Sequence, residues 1–233
     1  MNTEPDYEDD INMFYGLIKR IEGKLDGKMY LRSFDSRRDC PDQGVYFMFE
    51  DGEFRKYFPS QLRVTRVGTH AIRPIQNITL WERLDNHRGI TGDGGNARES
   101  VLRRHVGRAL IGKSNGLFNI PTWGIRGSIS GTERELEDML ERMVTEYVGG
   151  MKVLWLPVPG SDPAACSKRA FIEENSIALL SHCMRPFDIP SKGWLGNYHP
   201  REAIRASGLW NVKHVLQDHN SSLFNVMEAC NEH

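Results

Sequence analysis

The chain has 233 residues, and its 39% hydrophobic content is enough for one large folded domain with appendages rather than a disordered protein. No apolar run approaches the ~20 residues that a membrane-spanning helix needs, and the acidic start MNTEPDYEDD is unlike a signal peptide, so we expect a cytoplasmic protein. The cysteines are scattered without a CxxC pair, which argues against a zinc knuckle or ribbon: Cys40, Cys166, Cys183 and Cys230.

Positive charge is concentrated in the middle of the chain, although the net charge is only −1. Residues 55–126 hold 13 Lys/Arg and 4 Asp/Glu, a surplus of +9, whereas residues 1–10 hold five acids and no base. Residues 131–149 hold six acids and two bases. A basic segment of this kind indicates a nucleic-acid-binding surface. The alternative is that its arginines pair with the acidic helices after folding.

The first predicted element is an amphipathic helix over residues 8–25, which would pack on the core or on a second subunit. Residues 26–43 are polar and irregular, apart from a short strand in KMYLRSF. Apolar residues of the helix recur at the spacing that gives one apolar face: Ile11, Phe14, Leu17, Ile18 and Ile21.

Two strands are predicted next. The stretch GVYFMFEDGEFR, which starts at Gly44, alternates around aromatic and β-branched residues and contains Asp51-Gly52, a two-residue hairpin signal. Residues 63–70, RVTRVGTH, form a second short strand, in which Gly68 lets another backbone come close.

A helix is predicted in LWERLDNHRG, residues 80–89. Arg83 and His87 stand four residues apart and therefore share one face of it. Together with Tyr46 on the first strand and Arg66 on the second, they would form a phosphate-binding cluster.

A glycine loop, GITGDGGNARES, leads into a basic helix, VLRRHVGRALI, which Ser100 is predicted to cap. The loop is not a Walker loop, because no Gly-Lys-Ser/Thr follows in register. The basic residues of this region are candidates for contact with the DNA backbone, although a solvated charged face is the alternative. The candidates are Arg98, Arg103, Arg104, Arg108, Lys113 and Arg126.

The second half is predicted to contain two long helices and a central strand. Residues 111–130 would be an insertion with little regular structure, after which Thr132 and Glu135 form a capping box ahead of a helix. MKVLWLPVPG is a strand covered on both faces, and Arg169 to Met184 form the last long helix. Trp194 and Trp210 would be core anchors, with base stacking as the alternative. Four apolar residues and one tyrosine of the capped helix would face the core: Leu136, Met139, Leu140, Met143 and Tyr147.

Four of these segments resemble, in the right order, the GIY-YIG nuclease family. Gly44-Val45-Tyr46 looks like the first signature, and Arg66-Val67-Gly68 sits where the second would fall. The helix with Arg83 and His87 resembles the family's catalytic-arginine helix. Glu173, in RAFIEENSIALLS, resembles the lone metal-binding glutamate.

The resemblance implies an α/β (α+β) fold with a small, mainly antiparallel sheet flanked by helices. Residues 1–43 would be an N-terminal helical extension and residues 44–188 the nuclease core, with insertions at about 89–130. Residues 189–233 would be a C-terminal extension packing on that core.

The implied activity is Mg²⁺-dependent hydrolysis of double-stranded DNA, with Mn²⁺ as a substitute, as in a type II restriction-like enzyme acting as a homodimer. Tyr46 would activate water, Arg83 and Arg66 would stabilise the phosphate, and His87 would support Tyr46 or hold a phosphate oxygen. Glu173 would bind one Mg²⁺.

Two departures from the family pattern stand out. Arg66 occupies the place of the second-signature tyrosine. Arg185 and Asp188 lie where an asparagine is expected beyond the glutamate, and Asn197 comes later. A non-catalytic nucleic-acid-binding protein with the same fold therefore remains an alternative, as does an interaction module whose first helix docks a partner enzyme. A late run of polar residues lacks the context of an HNH nuclease: Asn211, His214, His219 and Asn220.

Overall fold

The computed structural model describes residues 7–33, 35–70, 78–90, 92–125, 130–160 and 167–232. Within them a four-stranded antiparallel sheet of order β1-β4-β2-β3 lies between helices, which confirms the predicted fold class. The elements are α1 (Tyr7–Lys24), β1 (Met29–Tyr30), α2 (Ser36–Asp39), β2 (Gly44–Phe54), β3 (Leu62–Thr69), α3 (Leu80–Arg88), α4 (Val101–Lys113), α5 (Gly131–Gly149), β4 (Lys152–Pro157), α6 (Lys168–Leu180), a 3₁₀ turn (Leu195–Tyr198), α7 (Glu202–Ser207) and α8 (Ser222–Asn231).

Alternating side chains of the sheet build two cores, one on each face. On one face, Val45 and Phe47 of β2 pack with apolar residues of α1, α6 and α8. On the other face, Tyr46 and Met48 pack with α3, α4 and α5. The strand β4 contributes to both cores, as its continuous apolar run predicts. No helix in the described parts of the chain is long and apolar enough to cross a membrane.

The hairpin between β2 and β3 does not turn at Asp51-Gly52, so that prediction is wrong. β2 runs through both residues, Phe54 still pairs with Leu62, and the chain reverses over residues 55–61. Register shifts before Phe54 mark a bulge in which Gly52 has a φ of 88°. A bulge and a tight turn both favour glycine at positive φ, so the local sequence cannot distinguish them.

Two helix boundaries also differ from the prediction. α5 begins two residues earlier than expected, because Ser130 and Glu133 rather than Thr132 and Glu135 form its capping box. α6 ends at Leu180, short of Met184.

The irregular segment before α5 is anchored to α4. The indole of Trp123 is buried and lies against Gly107 of that helix, where a Cβ would come within 2.3 Å of the ring. Its Nε1 donates to the carbonyl oxygen of Arg104 at 3.1 Å. The predicted insertion thus contributes to the core despite its lack of regular structure.

The outer edge of β3 is covered by a later part of the chain. The backbone N–H of Trp210 donates to the carbonyl oxygen of Thr65 at 2.8 Å. The side-chain amide of Asn211 bonds both the N–H and the carbonyl oxygen of Val67, at 3.1 and 2.8 Å.

Trp194 and Trp210 are both buried, as predicted for core anchors. Their Nε1 atoms donate to the same Glu50 oxygen at 3.1 and 2.8 Å. The Tyr147 hydroxyl donates to the other oxygen of that carboxylate. Glu50 thereby ties the segment after residue 189 to the sheet and to α5.

Candidate active site

Tyr46 lies in the interior, near the start of β2 and the open end of the hairpin, opposite Gly68 of β3. A Cβ on Gly68 would lie 2.3 Å from the Tyr46 hydroxyl oxygen, so only glycine leaves room for the phenol ring. The close neighbour expected at Gly68 is therefore this aromatic ring and not another backbone.

The Tyr46 hydroxyl is the centre of a hydrogen-bond chain that links four elements. Nε of Arg66 donates to the hydroxyl at 3.1 Å, and Nε2 of His87 lies 2.8 Å from it. Nδ1 of His87 lies 2.7 Å from Oγ of Ser100, the N-cap residue of α4. Nη1 of Arg66 is fixed in turn by the carbonyl oxygen of Trp210 at 2.8 Å. β2, β3, α3 and α4 thus each contribute one side chain to the chain.

His87 is fully buried, and its pKa is held well below the ordinary value. Burial is the largest cause, and the positive charges of Arg83, Arg66 and Arg103 act in the same direction. The imidazole is therefore neutral at physiological pH. Both ring nitrogens already have partners, which leaves neither for a phosphate oxygen.

Arg83 is held on α3, whose start is fixed by a capping box of Thr79 and Glu82. Its Nε is buried, yet it has no hydrogen-bond partner in the part of the chain that the structure describes. Its charge acts on three surrounding groups, His70, His87 and Glu173. Arg83 is thus the common neighbour of the site residues and keeps hydrogen-bonding capacity for a ligand.

Glu173 of α6 is brought to the same place, although it is distant in sequence. Burial raises its pKa, while the charges of Arg66, His214 and Arg83 and a hydrogen bond from the backbone of Thr69 act in the opposite direction. These neighbours place the carboxylate beside the end of β3.

Two site neighbours, His214 and Ser100, are residues whose place at this site the sequence does not indicate. His214 has a φ of 65° and lies near Glu173, and its Nδ1 contacts Gln217 at 2.8 Å. Ser100 was predicted only as a helix cap, because nothing local reveals its bond to His87. These contacts form through tertiary packing alone.

The three residues named above in connection with the expected asparagine have partners away from the Tyr46 hydrogen-bond chain. Asp188 forms an ion pair with Arg55 at 3.0 Å. The amide of Asn197 donates to the carbonyl oxygen of Ser191 at 2.9 Å. Arg185 lies over the ring of Tyr7.

Arg103 cannot be the exposed DNA contact that the sequence suggested, because it is completely buried. Its guanidinium pairs with Glu141 at 2.6 Å and also donates to Thr145 and to the carbonyl oxygens of His87 and Arg88. It fastens α4 to α5 and to the end of α3. Pairing with an acidic helix, the alternative considered above, therefore applies to this arginine.

The other basic candidates differ in surroundings. Arg98 pairs with Glu137 of α5 at 2.8 Å. Arg104 and Arg108 are half-buried, and Lys113 is exposed, with its Nζ 5.7 Å from the ring centre of Tyr198. The predicted contact at position 126 lies outside the described residues.

A second group of cations surrounds a buried histidine pair next to the site. Nδ1 of His105 lies 3.1 Å from Nε2 of His199. Burial lowers the pKa of His105 to about 2 and that of His199 to about 4. Charges of Arg108 and Arg201 contribute to both shifts, and Arg66 contributes to the first. Positive charge thus extends from the Tyr46 hydrogen-bond chain to the exposed surface at Arg201.

Glu173 is the site's candidate metal ligand. In the described ranges no group of three or more His, Cys, Asp or Glu residues could hold a metal ion. A single carboxylate nevertheless fits Mg²⁺, which keeps most of its water ligands. A bound cation would also favour the ionised form of this partly buried carboxylate.

A comparison with protein families gives one finding. The family model described as the GIY-YIG domain matches residues 5–233. Searches of curated proteins and of solved structures gave no match.

Proposed function

Because the chain belongs to the GIY-YIG family, a family of nucleases, we propose that it is a metal-dependent endonuclease that cuts double-stranded DNA at specific sites, as restriction enzymes do. The observation that carries the proposal is the convergence of five residues from β2, β3, α3 and α6. They are Tyr46, Arg66, Arg83, His87 and Glu173.

Arg83 is the residue proposed to bind the scissile phosphate. Its buried Nε lacks a partner in the described structure, and a planar guanidinium matches phosphate oxygens better than an ammonium group does. The negative charge that develops on the phosphate would be stabilised by a donor that is already in place.

Tyr46 is proposed to take the proton of the attacking water. A general base must be unprotonated when it acts, so this role requires the phenolate form of Tyr46. Arg66 already donates to the hydroxyl oxygen. The low pKa of His87 disfavours an imidazolium, so His87 would act as a neutral donor through Nε2 while its Nδ1 accepts from Ser100.

Glu173 would hold one Mg²⁺ or Mn²⁺. When bound, the ion supplies Lewis-acid stabilisation of the phosphate and lowers the pKa of coordinated water.

The DNA backbone is proposed to run from the site over the His105–His199 pair. Arg108, Arg201 and Lys113 would contact phosphates along this path, together with Arg104. Arg98 would contribute less, because Glu137 partly neutralises it. The support is the positive charge that surrounds the histidine pair and reaches Arg66.

The first experiment is a cleavage assay on plasmid and genomic DNA with Mg²⁺ or Mn²⁺, comparing wild type with Glu173→Gln. Discrete fragments from the wild type alone are expected. Smears from the wild type that are absent with the variant would support a nuclease activity but contradict cleavage at specific sites. Metal-independent binding without any cleavage would overturn the proposal in favour of a non-catalytic DNA-binding protein.

A further inference from the structure

The two buried histidines, His105 of α4 and His199 after the 3₁₀ turn, form a hydrogen-bond chain whose direction is fixed at one end. The backbone N–H of Arg201 donates to Nδ1 of His199 at 2.9 Å. An amide N–H can only donate, so this nitrogen of His199 is an acceptor and carries no proton. Burial lowers the pKa of both rings, so each is neutral at physiological pH and holds one proton. The proton of His199 is therefore on Nε2.

The second link of the chain follows from the first. Nε2–H of His199 donates to Nδ1 of His105, which is 3.1 Å away. Nδ1 of His105 thus accepts a hydrogen bond, and the single proton of that ring is on Nε2. The chain that starts at the backbone of Arg201 ends in an N–H group of His105.

This terminal N–H group points to the surface. Nε2 of His105 has no hydrogen-bond partner among the described residues, and 6% of the residue is exposed. It is not one of the buried side-chain atoms that lack a partner there, which belong to His70, Arg83, Thr122 and Ser176. A fixed N–H group that is open to the surface is ready to donate to an acceptor on a ligand.

The surroundings of this N–H group favour an anion as the acceptor. Arg108 follows His105 by three residues on α4, so their side chains share a face of that helix. Arg201, whose backbone starts the chain, is exposed. An acceptor that approaches His105 therefore enters a region of positive charge, which suits the oxygens of a phosphate.

The helix α4 also relates this position to the candidate active site. Ser100, at the start of α4, contacts His87 of the Tyr46 hydrogen-bond chain. His105 lies five residues further on, about 7.5 Å along the helix axis. One DNA strand rises about 3.4 Å per phosphate, so His105 would meet a phosphate a few nucleotides from the scissile one.

We propose that Nε2–H of His105 donates to a non-scissile phosphate of the DNA, and that His199 is the positioning residue that keeps the proton on that nitrogen. This inference rests on the proposed function. It adds to the arginine path a neutral donor, which binds a phosphate oxygen at one fixed place without adding charge.

Two substitutions of His105 separate the two ring nitrogens. His105→Asn keeps an oxygen that can accept from His199 near the position of Nδ1 and loses the outer donor. His105→Gln keeps an N–H group near the position of Nε2. Affinity for a DNA duplex in EDTA at several salt concentrations and Tm would be measured for both variants and the wild type. ¹⁵N NMR of the wild type would identify the protonated nitrogen of each ring.

We expect His105→Asn to weaken DNA binding by roughly 10- to 100-fold, as the loss of a hydrogen bond to a charged group does. The slope of log K against log salt should stay unchanged, because no cation is removed. His105→Gln should recover most of the affinity. Wild-type affinity in His105→Asn, an equal loss in both variants with a lower Tm, or a proton on Nδ1 of His105 would each overturn the inference.

A titration followed at the ¹⁵N signal of His105 Nε2 separates DNA from free phosphate. A shift with duplex DNA alone is expected, whereas an equal shift with inorganic phosphate would indicate a free-phosphate site and overturn the DNA contact. Binding is measured without metal, so a wild type that binds DNA but never cleaves it would contradict only the proposed nuclease. A wild type that binds no DNA would overturn the contact as well.

Discussion

Arg66 stands where the resemblance expects a tyrosine, and its contacts show what the exchange does. The guanidinium donates to Tyr46 and is held by the carbonyl oxygen of Trp210. An arginine here brings a permanent positive charge to the phenol, whereas a tyrosine would offer a neutral hydroxyl. The departure from the signature is therefore compatible with the proposed chemistry.

Glu173 is expected to show a conflict between stability and activity. Burial raises its pKa in the folded protein, so the native state binds this proton more tightly than the unfolded chain does. The contribution of Glu173 to the free energy of unfolding is therefore complete below the ordinary glutamate pKa. It is lost as pH rises through the raised pKa of the folded protein. Without metal and near pH 7, we expect Glu173→Gln to have a higher Tm than the wild type. This difference in Tm should disappear toward pH 4.

Thermal unfolding between pH 4 and 8 tests this expectation, with Glu135→Gln at an exposed position of α5 as the control. Cleavage by the wild type should decline as pH falls through the same window, because only the carboxylate binds the cation. A Tm for Glu173→Gln at or below that of wild type near pH 7 would contradict the argument.

At the scale of elements, the Arg103–Glu141 pair is the main buried ionic connection between α4 and α5. Arg103→Ala would leave the Glu141 carboxylate buried without its partner, a change that typically costs about 3–5 kcal/mol. Urea unfolding would measure this loss in the free energy of unfolding. The control is Arg20→Ala, which removes a solvent-exposed pair with Glu228 and should cost under about 1 kcal/mol. Equal losses in the two variants would refute a structural role for the buried pair.

The main elements could be predicted because their patterns are local. The apolar spacing of α1, the alternation of β2 and the continuous apolar run of β4 each appear within one segment. The sequence does not distinguish the bulge at Gly52 from a turn, because both favour the same residues and only the pairing with β3 separates them.

At the scale of the whole molecule, charge along the sequence did not translate directly into a surface. Arg103 and Arg98 face the acidic helix α5, whereas Arg201 comes from outside the basic segment and joins Arg108 around the histidine pair. Tyr46, Arg83, His87 and Glu173 could be picked out by resemblance to motifs. Ser100 and His214 could not, because only tertiary packing brings them to the site.

The proposed DNA path predicts a specific salt dependence. Arg108→Gln/Arg201→Gln should weaken binding to a DNA duplex in EDTA, and the slope of log K against log salt should fall by about 0.9 for each phosphate that the protein no longer neutralises. Arg20→Gln, on α1 and the opposite face of the sheet, should change neither quantity. Fluorescence anisotropy at several salt concentrations is the measurement. An unchanged slope in the double variant would place the DNA elsewhere.

The cover on β3 has a consequence for the order of events during synthesis. Arg66 and Val67 of β3 are synthesised 144 residues before their partners Trp210 and Asn211. The side-chain amide of Asn211 covers the outer edge of β3, and the carbonyl oxygen of Trp210 holds Arg66. Until then the nascent strand has unpaired backbone groups that can pair with another chain. The same late step that completes the hydrogen-bond chain around Tyr46 also ends this period of vulnerability, so a partly made chain lacks both the assembled site and the protected edge.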